Sequence, residues 1–274
     1  MCSNNQESKQ NNASAFLTLG AFRSDQITVS VLDYLGELRQ NWHRHEDFIL
    51  ALLLKGHVRE EVGCRDVLAN PLDVGIKAPG IRHTDRFWSE GGRIIRISLS
   101  HSLISDLKSK SLIRERWNWT TNSLAIRPFL RVGHSILHNK SSNAEVCDGI
   151  CEILAALLPV KSDYSARHAP LWLRHAKERL VSSYADGIRL THLAEEANVH
   201  PVYFARQFRR FFGCSVGRYV RRLQLQSVTS LLASHKYSLA QIACQAGFSD
   251  QAHMTRILTA EFGITPGYFR DLLV

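Results

Sequence analysis

The sequence predicts an α+β chain of two domains: an N-terminal β sandwich or barrel with following helices, then a C-terminal all-α double helix-turn-helix. Three observations carry this. Residues 27–99 are short β-rich runs broken by Gly and Pro, the apolar period moves from two to nearer four after Ser100, and the C-terminal third repeats itself with a period of 49 to 50 residues. A chain of 274 residues is long enough for two cores.

Residues 1–14, rich in Asn, Ser and Gln, cannot bury enough apolar surface to offset ordering and read as a disordered tail. Strands are expected at Ile27–Leu38, Phe48–Leu54, His57–Val62, Arg65–Ala69, Asp73–Ala78 and Arg93–Leu99, with breaks at Gly56, Gly63, Asn70-Pro71, Pro79-Gly80 and Gly91-Gly92. They place a β domain at 15–100. Residues 101–160 read as a helical dimerisation region: Val146, Ile150, Ile153, Leu154, Leu157 and Leu158 form one apolar stripe on a helix from about Asn143. Periodicity leaves open whether that stripe covers the barrel or pairs with a second copy. Residues 161–170 are polar, end in Pro170 and form the expected linker to a third segment, 171–274. There the helices fall at Leu171–Tyr184, Leu190–Ala197, Pro201–Phe212, Ser215–Ser234, Leu239–Ala246, Asp250–Phe262 and Pro266–Leu273, separated by Gly187, Gly213, Gly247 and Gly263.

The longest apolar run, Phe48–Leu54, is far short of the roughly 20 residues a bilayer span needs, so no membrane partner is expected. Met1–Asn12 lack the features of a secretory signal, and the cysteines form no CxxC pair, which together predict a cytoplasmic protein with reduced, mostly buried thiols. The net charge of +9 is unevenly held: residues 1–166 contribute +2 and residues 167–274 contribute +7. Almost all of the C-terminal excess is arginine, whose planar fork suits phosphate oxygens, so a nucleic acid is the first partner considered.

The repeat sharpens that reading. Leu190, Leu193, Ala194 and Ala197 return as Leu239, Ile242, Ala243 and Ala246; Arg206, Phe212, Gly213 and Gly217 return as Arg256, Phe262, Gly263 and Gly267. Each unit is a short helix, a turn and a second helix, the layout in which the second helix enters a major groove. Two ordinary helical hairpins would share the layout, so the faces matter. On the helix from Pro201, Phe204, Phe208, Phe211 and Phe212 take one side, leaving Val202, Ala205 and Arg206 for base edges and Arg209 and Arg210 for phosphates. On the other, Met254, Leu258 and Phe262 face the core while Gln251, Ala252, Thr255, Arg256 and Thr259 are exposed. The connecting helix should span about 30 Å, close to the ~34 Å pitch between successive major grooves. The expected partner is double-stranded DNA with two short elements about one turn apart.

At these residues the chain resembles the AraC/XylS family of bacterial transcription regulators. The resemblance is carried by Leu193-Ala194 through Phe204-x-Arg206-x-Phe208-Arg209-Arg210 to Gly213, by Ile242-Ala243-x-x-x-Gly247-Phe248-Ser249-Asp250-Gln251, and by Gly263-Ile264-Thr265-Pro266-x-x-Phe269-Arg270. It implies promoter DNA and RNA polymerase as partners, most often in activation. Met254 and Leu258 stand where the family usually has aromatic residues, and Thr259-Ala260 replace a commonly basic pair, so the second unit is expected to grip phosphate less well.

Trp42-His43-Arg44-His45-Glu46-Asp47, with Pro79-Gly80-Ile81-Arg82-His83 further on, resembles the cupin-type barrel that precedes the DNA-binding domain in this family. His43 and His45 are two apart and project to one side of an extended segment, where His83 can join them as a metal-like trio. Metallo-cupins add a glutamate four or five residues later; Ile49 and Leu50 stand there, with Asp47 misplaced. The preferred expectation is therefore a small-molecule effector pocket lined by Tyr34, Trp42, His43, His45, His83 and Arg96, with Arg96 as the fixed cation for an anionic ligand, and with no metal and no cofactor. No phosphate-binding glycine loop, nucleophile elbow or HExxH is present, so no enzyme is predicted. Cys147 and Cys151, four apart on one helix, read as packed thiols. The combined expectation is an effector-modulated, homodimeric, DNA-binding regulator; the alternative is a cupin-type metalloenzyme with an accessory DNA-binding domain.

Overall fold

The structure, a computed structural model, describes residues 16–109, 117–120, 123–139, 142–157 and 169–273. Its contacts divide the chain into one unit of residues 1–158 with 270–274 and a second of residues 159–269. The expected tail at 1–14 and residues 161–168 of the expected linker lie outside the described residues.

The first unit is one antiparallel sheet of seven strands: β1 (Phe16–Arg23), β2 (Ile27–Tyr34), β3 (Phe48–Val62), β4 (Arg65–Ala69), β5 (Val74–Lys77), β6 (His83–Leu99) and β7 (Trp117–Thr120). Their order is β1-β2-β6-β3-β5-β7, with β4 paired to β3. No pairing joins β1 to β7 among the described residues, so the expected barrel is an open one.

Two of the expected strand breaks are not breaks. The sheet runs through Gly56 in β3 and through Gly91-Gly92 in β6, and the register slips between Leu53 and Lys55 and between Gly56 and Val58. A Cβ on Gly56 would stand 1.9 Å from the Gly91 carbonyl oxygen, and both residues have positive φ. The glycines are bulges that bring two backbones together and bend the long hairpin, instead of ending it. The sequence reading also missed β1, whose mostly exposed residues lack an apolar alternation, and β7, which follows the helix α1 (His101–Ser109). Both are strands because a neighbour supplies the pairing.

Directly opposed residues share a face. Leu50, Leu52, Ile95, Ile97, Val29 and Val31 are fully buried on one face, over which α2 (Ser123–Leu137) lies so closely that a Cβ on Gly133 would meet the Ile95 side chain at 2.3 Å. Helix α3 (Asn143–Leu157) buries Val146, Ile150, Ile153 and Leu157, and a Cβ on Gly149 would reach Val132 of α2 at 2.4 Å. Its apolar stripe is thus covered within the chain itself. Leu154 is half-buried and Leu158 lies outside the described residues.

The thiols differ from expectation. Cys64, Cys147, Cys151 and Cys244 are exposed and Cys214 is half-buried. Cys147 and Cys151 are not packed, because the face of α3 turned to α2 is the one carrying Val146, Ile150 and Ile153.

The second unit is helical: α4 (Leu171–Ser183), a 3-10 turn Tyr184–Asp186, α5 (Leu190–Glu196), α6 (Pro201–Phe212), α7 (Val216–Ala233), α8 (Leu239–Gln245) and α9 (Gln251–Phe262), continued by α10 (Pro266–Asp271). Leu173, Leu180, Leu193, Ala194, Phe204, Phe208 and Tyr219 form one buried cluster. Ile242, Ala243, Met254, Leu258 and Phe262 are buried at the matching places of the repeat. Ser215 and Ser238 cap α7 and α8, the latter in a reciprocal capping box with Gln241, and Gly213 and Gly263 close α6 and α9 in the left-handed conformation.

Candidate functional site

Helix α6 begins at a proline whose fixed φ suits a first turn, and the His200 ring nitrogen accepts from the Val202 amide at 3.3 Å. Phe204 and Phe208 turn inward and are fully buried. Their burial forces the opposite face outward: Val202, Arg206, Arg209 and Arg210 are exposed and Ala205 is half-exposed. Phe211 and Phe212, expected in the core, are only partly buried, and the Arg210 guanidinium lies over the Phe211 ring at 5.5 Å. Tyr203, 49% exposed beside Val202, belongs to the same surface and escaped the sequence reading because an aromatic residue next to Phe204 reads as core.

Helix α9 starts at Asp250, whose carboxylate accepts from the His253 amide at 2.7 Å; that bond holds the carboxyl below its usual range. Met254 and Leu258 are buried, Gln251, Ala252 and Arg256 are exposed, and Thr255 and Thr259 are half-exposed. The last turn of α6 carries Arg209 and Arg210 whereas that of α9 carries no basic residue, an asymmetry of positive charge between the two surfaces. Between them α7 has 18 residues, about 27 Å at 1.5 Å per residue.

The other expected site lies on the sheet face away from α2. Val62 of β3 opposes His83 of β6, and Glu60 opposes Asp85. The segment 41–45 is held there by reciprocal backbone bonds of 2.9 Å between His43 and His83. The three imidazoles converge, with ring centroids 4.2 Å apart for His43 and His83, 4.9 Å for His45 and His83, and 5.0 Å for His43 and His45. His43 Nδ1 donates to the Asn41 carbonyl at 2.8 Å and His83 Nδ1 to that of Ile81 at 3.1 Å, which leaves Nε2 of each as the free lone pair. His83 is fully buried and its Nε2 has no hydrogen-bond partner. Burial, reinforced by nearby Lys77, pushes His45 down to about 2 and His83 to about 4; burial also lowers His43. All three rings are neutral at physiological pH.

Beneath them is a charged group the sequence did not reveal. The Lys77 ammonium is bonded to the Glu60 carboxylate and lies 3.6 Å from Asp85, while the indole nitrogens of Trp117 and Trp119 donate to Glu60 Oε2 at 2.9 and 2.7 Å. Burial alone would lower the Lys77 pKa, but Asp85 and Glu60 hold it above its usual value and the ammonium stays charged. A Cβ on Gly75 would touch the Trp119 ring at 3.1 Å, so the glycine makes room for that indole over the sheet. Asp85 shares the alternation of His83, a signal that could have found it; Lys77, Trp117 and Glu60 come together only through strand pairing.

Of the remaining expected lining residues, Tyr34 stacks on Phe87 at 4.3 Å, its phenol pushed up by burial and pulled back by Arg96. Arg96 is half-buried over the Phe16 ring at 5.9 Å, and its Nε has no hydrogen-bond partner. Trp42 does not join the group: it is 43% exposed, with Arg82 6.0 Å from its ring. Ring nitrogens of His43, His45 and His83, one from each and all within 4.8 Å of one another, form a set that fits a borderline divalent ion such as zinc. Asp47 belongs to no such group among the described residues.

The profile of a helix-turn-helix domain matches residues 193–271. Over 86 residues the chain is 35% identical to the probable transcription factor PqrA of Proteus vulgaris, a match covering 31% of this chain and 70% of that protein. Over 163 residues it is 22% identical to the HTH-type transcriptional activator RhaR of Escherichia coli, covering 57% of this chain and 58% of RhaR, so it spans less than two thirds of that relative. Among solved structures, ToxT from Vibrio cholerae is similar at 11% identity and a TM-score of 0.38, over 91% of this chain and 99% of that one. The duplicated helix-turn-helix, its exposed arginine-bearing second helix and the coverage of PqrA together place this chain in the AraC/XylS family of DNA-binding transcription regulators.

Proposed function

We propose that the protein is a promoter-binding activator whose two second helices read successive major grooves and whose sheet domain receives a small-molecule effector. The observation that carries the first half is the repeated face: Val202, Ala205, Arg206, Arg209 and Arg210 on α6, and Gln251, Ala252, Thr255, Arg256 and Thr259 on α9, exposed except for the half-buried Ala205, Thr255 and Thr259, while their opposite faces are core. Short side chains and Arg206 approach base edges, and Arg209 and Arg210 neutralise phosphates. RNA polymerase is the proposed partner in activation; RhaR, to which the chain is similar, is a transcriptional activator. Association as a homodimer uses surface other than the stripe of α3, which α2 already covers.

The effector site is the group Tyr34, His43, His45, His83 and Arg96, with Trp42 exposed beside it. A guanidinium together with neutral imidazoles, of which His43 and His83 keep Nε2 as a lone pair, suits an anionic ligand that also donates hydrogen bonds. Effector binding then selects among arrangements of the chain that differ in DNA affinity or in activation. The test is selection of genomic fragments by the full-length protein at near-physiological salt, followed by sequencing. Paired elements about one turn apart are expected; binding that is equal on every sequence would reject the regulator reading.

The converging histidines favour one second reading, a cupin-type metalloenzyme with an accessory DNA-binding domain. A metal ion at His43, His45 and His83 would supply Lewis-acid chemistry, with His43 and His83 holding it through nitrogens oriented by the Asn41 and Ile81 carbonyls. Elemental analysis separates the two: stoichiometric metal, lost on replacing the three histidines, supports the enzyme.

A further inference from the structure

Gln224 lies midway along α7, the helix that connects the two helix-turn-helix units, and is half-buried. Its side-chain Nε2 donates to the backbone oxygen of Gly247 at 2.8 Å. Gly247 is the turn residue between α8 and α9, with φ at +78°. Its own amide bonds to Cys244 and the next amide, that of Phe248, bonds to Ala243, so the turn is anchored on one side to α8. On its other side it lies against the 3-10 turn Tyr184–Asp186: a Cβ on Gly247 would stand 2.6 Å from Ala185 Cα and 2.9 Å from its carbonyl oxygen. That turn continues α4, whose Leu173 and Leu180 pack into the cluster holding Phe204 and Phe208 of α6. The mount of α9 is therefore clasped between the connecting helix and the mount of α6.

We infer that Gln224 is a positioning residue that fixes the offset between α6 and α9, and with it the spacing of DNA elements the chain accepts. The inference rests on the reading that both helices enter successive grooves. Ridge packing of helices tolerates a range of angles, whereas a hydrogen bond to one backbone oxygen is directional and weakens steeply with misalignment. Without it, the turn keeps its contact with Ala185 but loses the bond that orients it. A small rotation there is carried along α9 to a displacement at the groove. Neither Gln224 nor Gly247 is on the exposed reading faces, so the base preference of each element is left alone.

The experiment uses the full-length protein, Gln224→Met, which keeps length and helix propensity but removes the donor, and Gln224→Lys, which restores a donor of similar reach. Each selects from a random duplex library. Affinities are then measured on the selected duplex, on versions with the element spacing changed by one base pair either way, and on a duplex with the first element alone. The expected result is that Gln224→Met loses about 3- to 10-fold of the wild-type discrimination against altered spacing, the worth of one net hydrogen bond. Affinity for the single element and the preferred bases should be unchanged, and Gln224→Lys should recover the discrimination. An unaltered spacing profile in Gln224→Met overturns the proposal, as does a parallel loss on the single-element duplex, which marks a merely structural role. Should Gln224→Met fail to fold by circular dichroism, Gln224→Lys decides alone: wild-type spacing supports the donor's role, and broadened spacing in a folded protein overturns it. A wild-type selection that returns only one element defeats the two-groove reading itself, and the clasp with it.

Discussion

Asn198 and Gly247, 49 residues apart, occupy the same place in the two helix-turn-helix turns, and both are left-handed, with φ at +51° and +78°. Asn tolerates this conformation because its short polar side chain bonds locally, whereas most side chains pay for it. The second turn admits only glycine for an added reason, the backbone of Ala185 at 2.6 Å from any Cβ. Asn198→Gly should change stability by less than about 1 kcal/mol. Gly247→Ala, adding both strain and a backbone clash, should cost about 3 kcal/mol or more. Denaturant unfolding of the two variants checks the contrast, and equal effects would show that the turns are under the same constraint.

Arg206 and Arg209 share an exposed face, and the proposed reading gives them different roles. Arg206→Ala should cost about 1–3 kcal/mol on the preferred sequence and relax the base preference at one position. Arg209→Ala should weaken binding to all sequences alike and lower the slope of log affinity against log salt by about 1. Titrations on preferred and scrambled duplexes at several salt concentrations distinguish them. A uniform loss for Arg206→Ala would assign it to phosphate.

Lys77→Met would leave the Glu60 and Asp85 carboxylates facing each other in the sheet interior. Glu60 is 1% exposed at its side chain, so water cannot compensate. Breaking a buried pair from one side costs about 3–5 kcal/mol. Tryptophan fluorescence reports the unfolding, since Trp117 and Trp119 bond to the same carboxylate. The double change Lys77→Met with Glu60→Gln should recover part of the loss, and failure to do so would mean that the ammonium serves packing more than charge.

Acid should destabilise the sheet domain before the carboxylates of the surface matter. His45 and His83 are held at about 2 and about 4 when folded, below the ordinary value of 6.5. Depressed values mean that the unfolded chain takes up protons first. Stability is therefore complete above pH 6.5 and declines as pH falls towards 4, by about 1.4 kcal/mol per pH unit for the fully buried His83. Unfolding midpoints between pH 7.5 and 4.5 test this, and His83→Gln should flatten the slope. A flat wild-type profile would show that the ring is protonated in the folded chain.

The C-terminal helices were legible because their information is local. Phe204 and Phe208, or Met254 and Leu258, lie four apart on one helix, and burying them alone dictates that Arg206 and Arg256 face outward. Caps and left-handed glycines ended those helices within a residue or two of expectation. The sheet domain was legible only in outline. His43, His45 and His83 were recognised from their alternation and the turn before His83, and the structure brings them together. Lys77 was invisible because a lone lysine beside apolar residues ordinarily marks a strand end, and only the carboxylates of Glu60 and Asp85 make its burial tolerable.

What the sequence determined by itself was therefore the duplicated DNA-reading unit, since helical periodicity, capping and turn chemistry act over a few residues and leave one face for DNA. What the tertiary structure decided was where distant strands register. The glycines at 56 and 91 are one bend instead of two ends because the Gly91 carbonyl oxygen would stand 1.9 Å from a Cβ on Gly56, and a Cβ on Gly91 would meet the Tyr34 carbonyl oxygen at 2.3 Å. Strands β1 and β7 exist because β2 and β5 offer them hydrogen-bonding edges. The stripe of α3 is covered by α2 because Gly149 lets the two helices approach within reach of Val132. Those outcomes are contacts between residues far apart in the chain, and no local pattern encodes them.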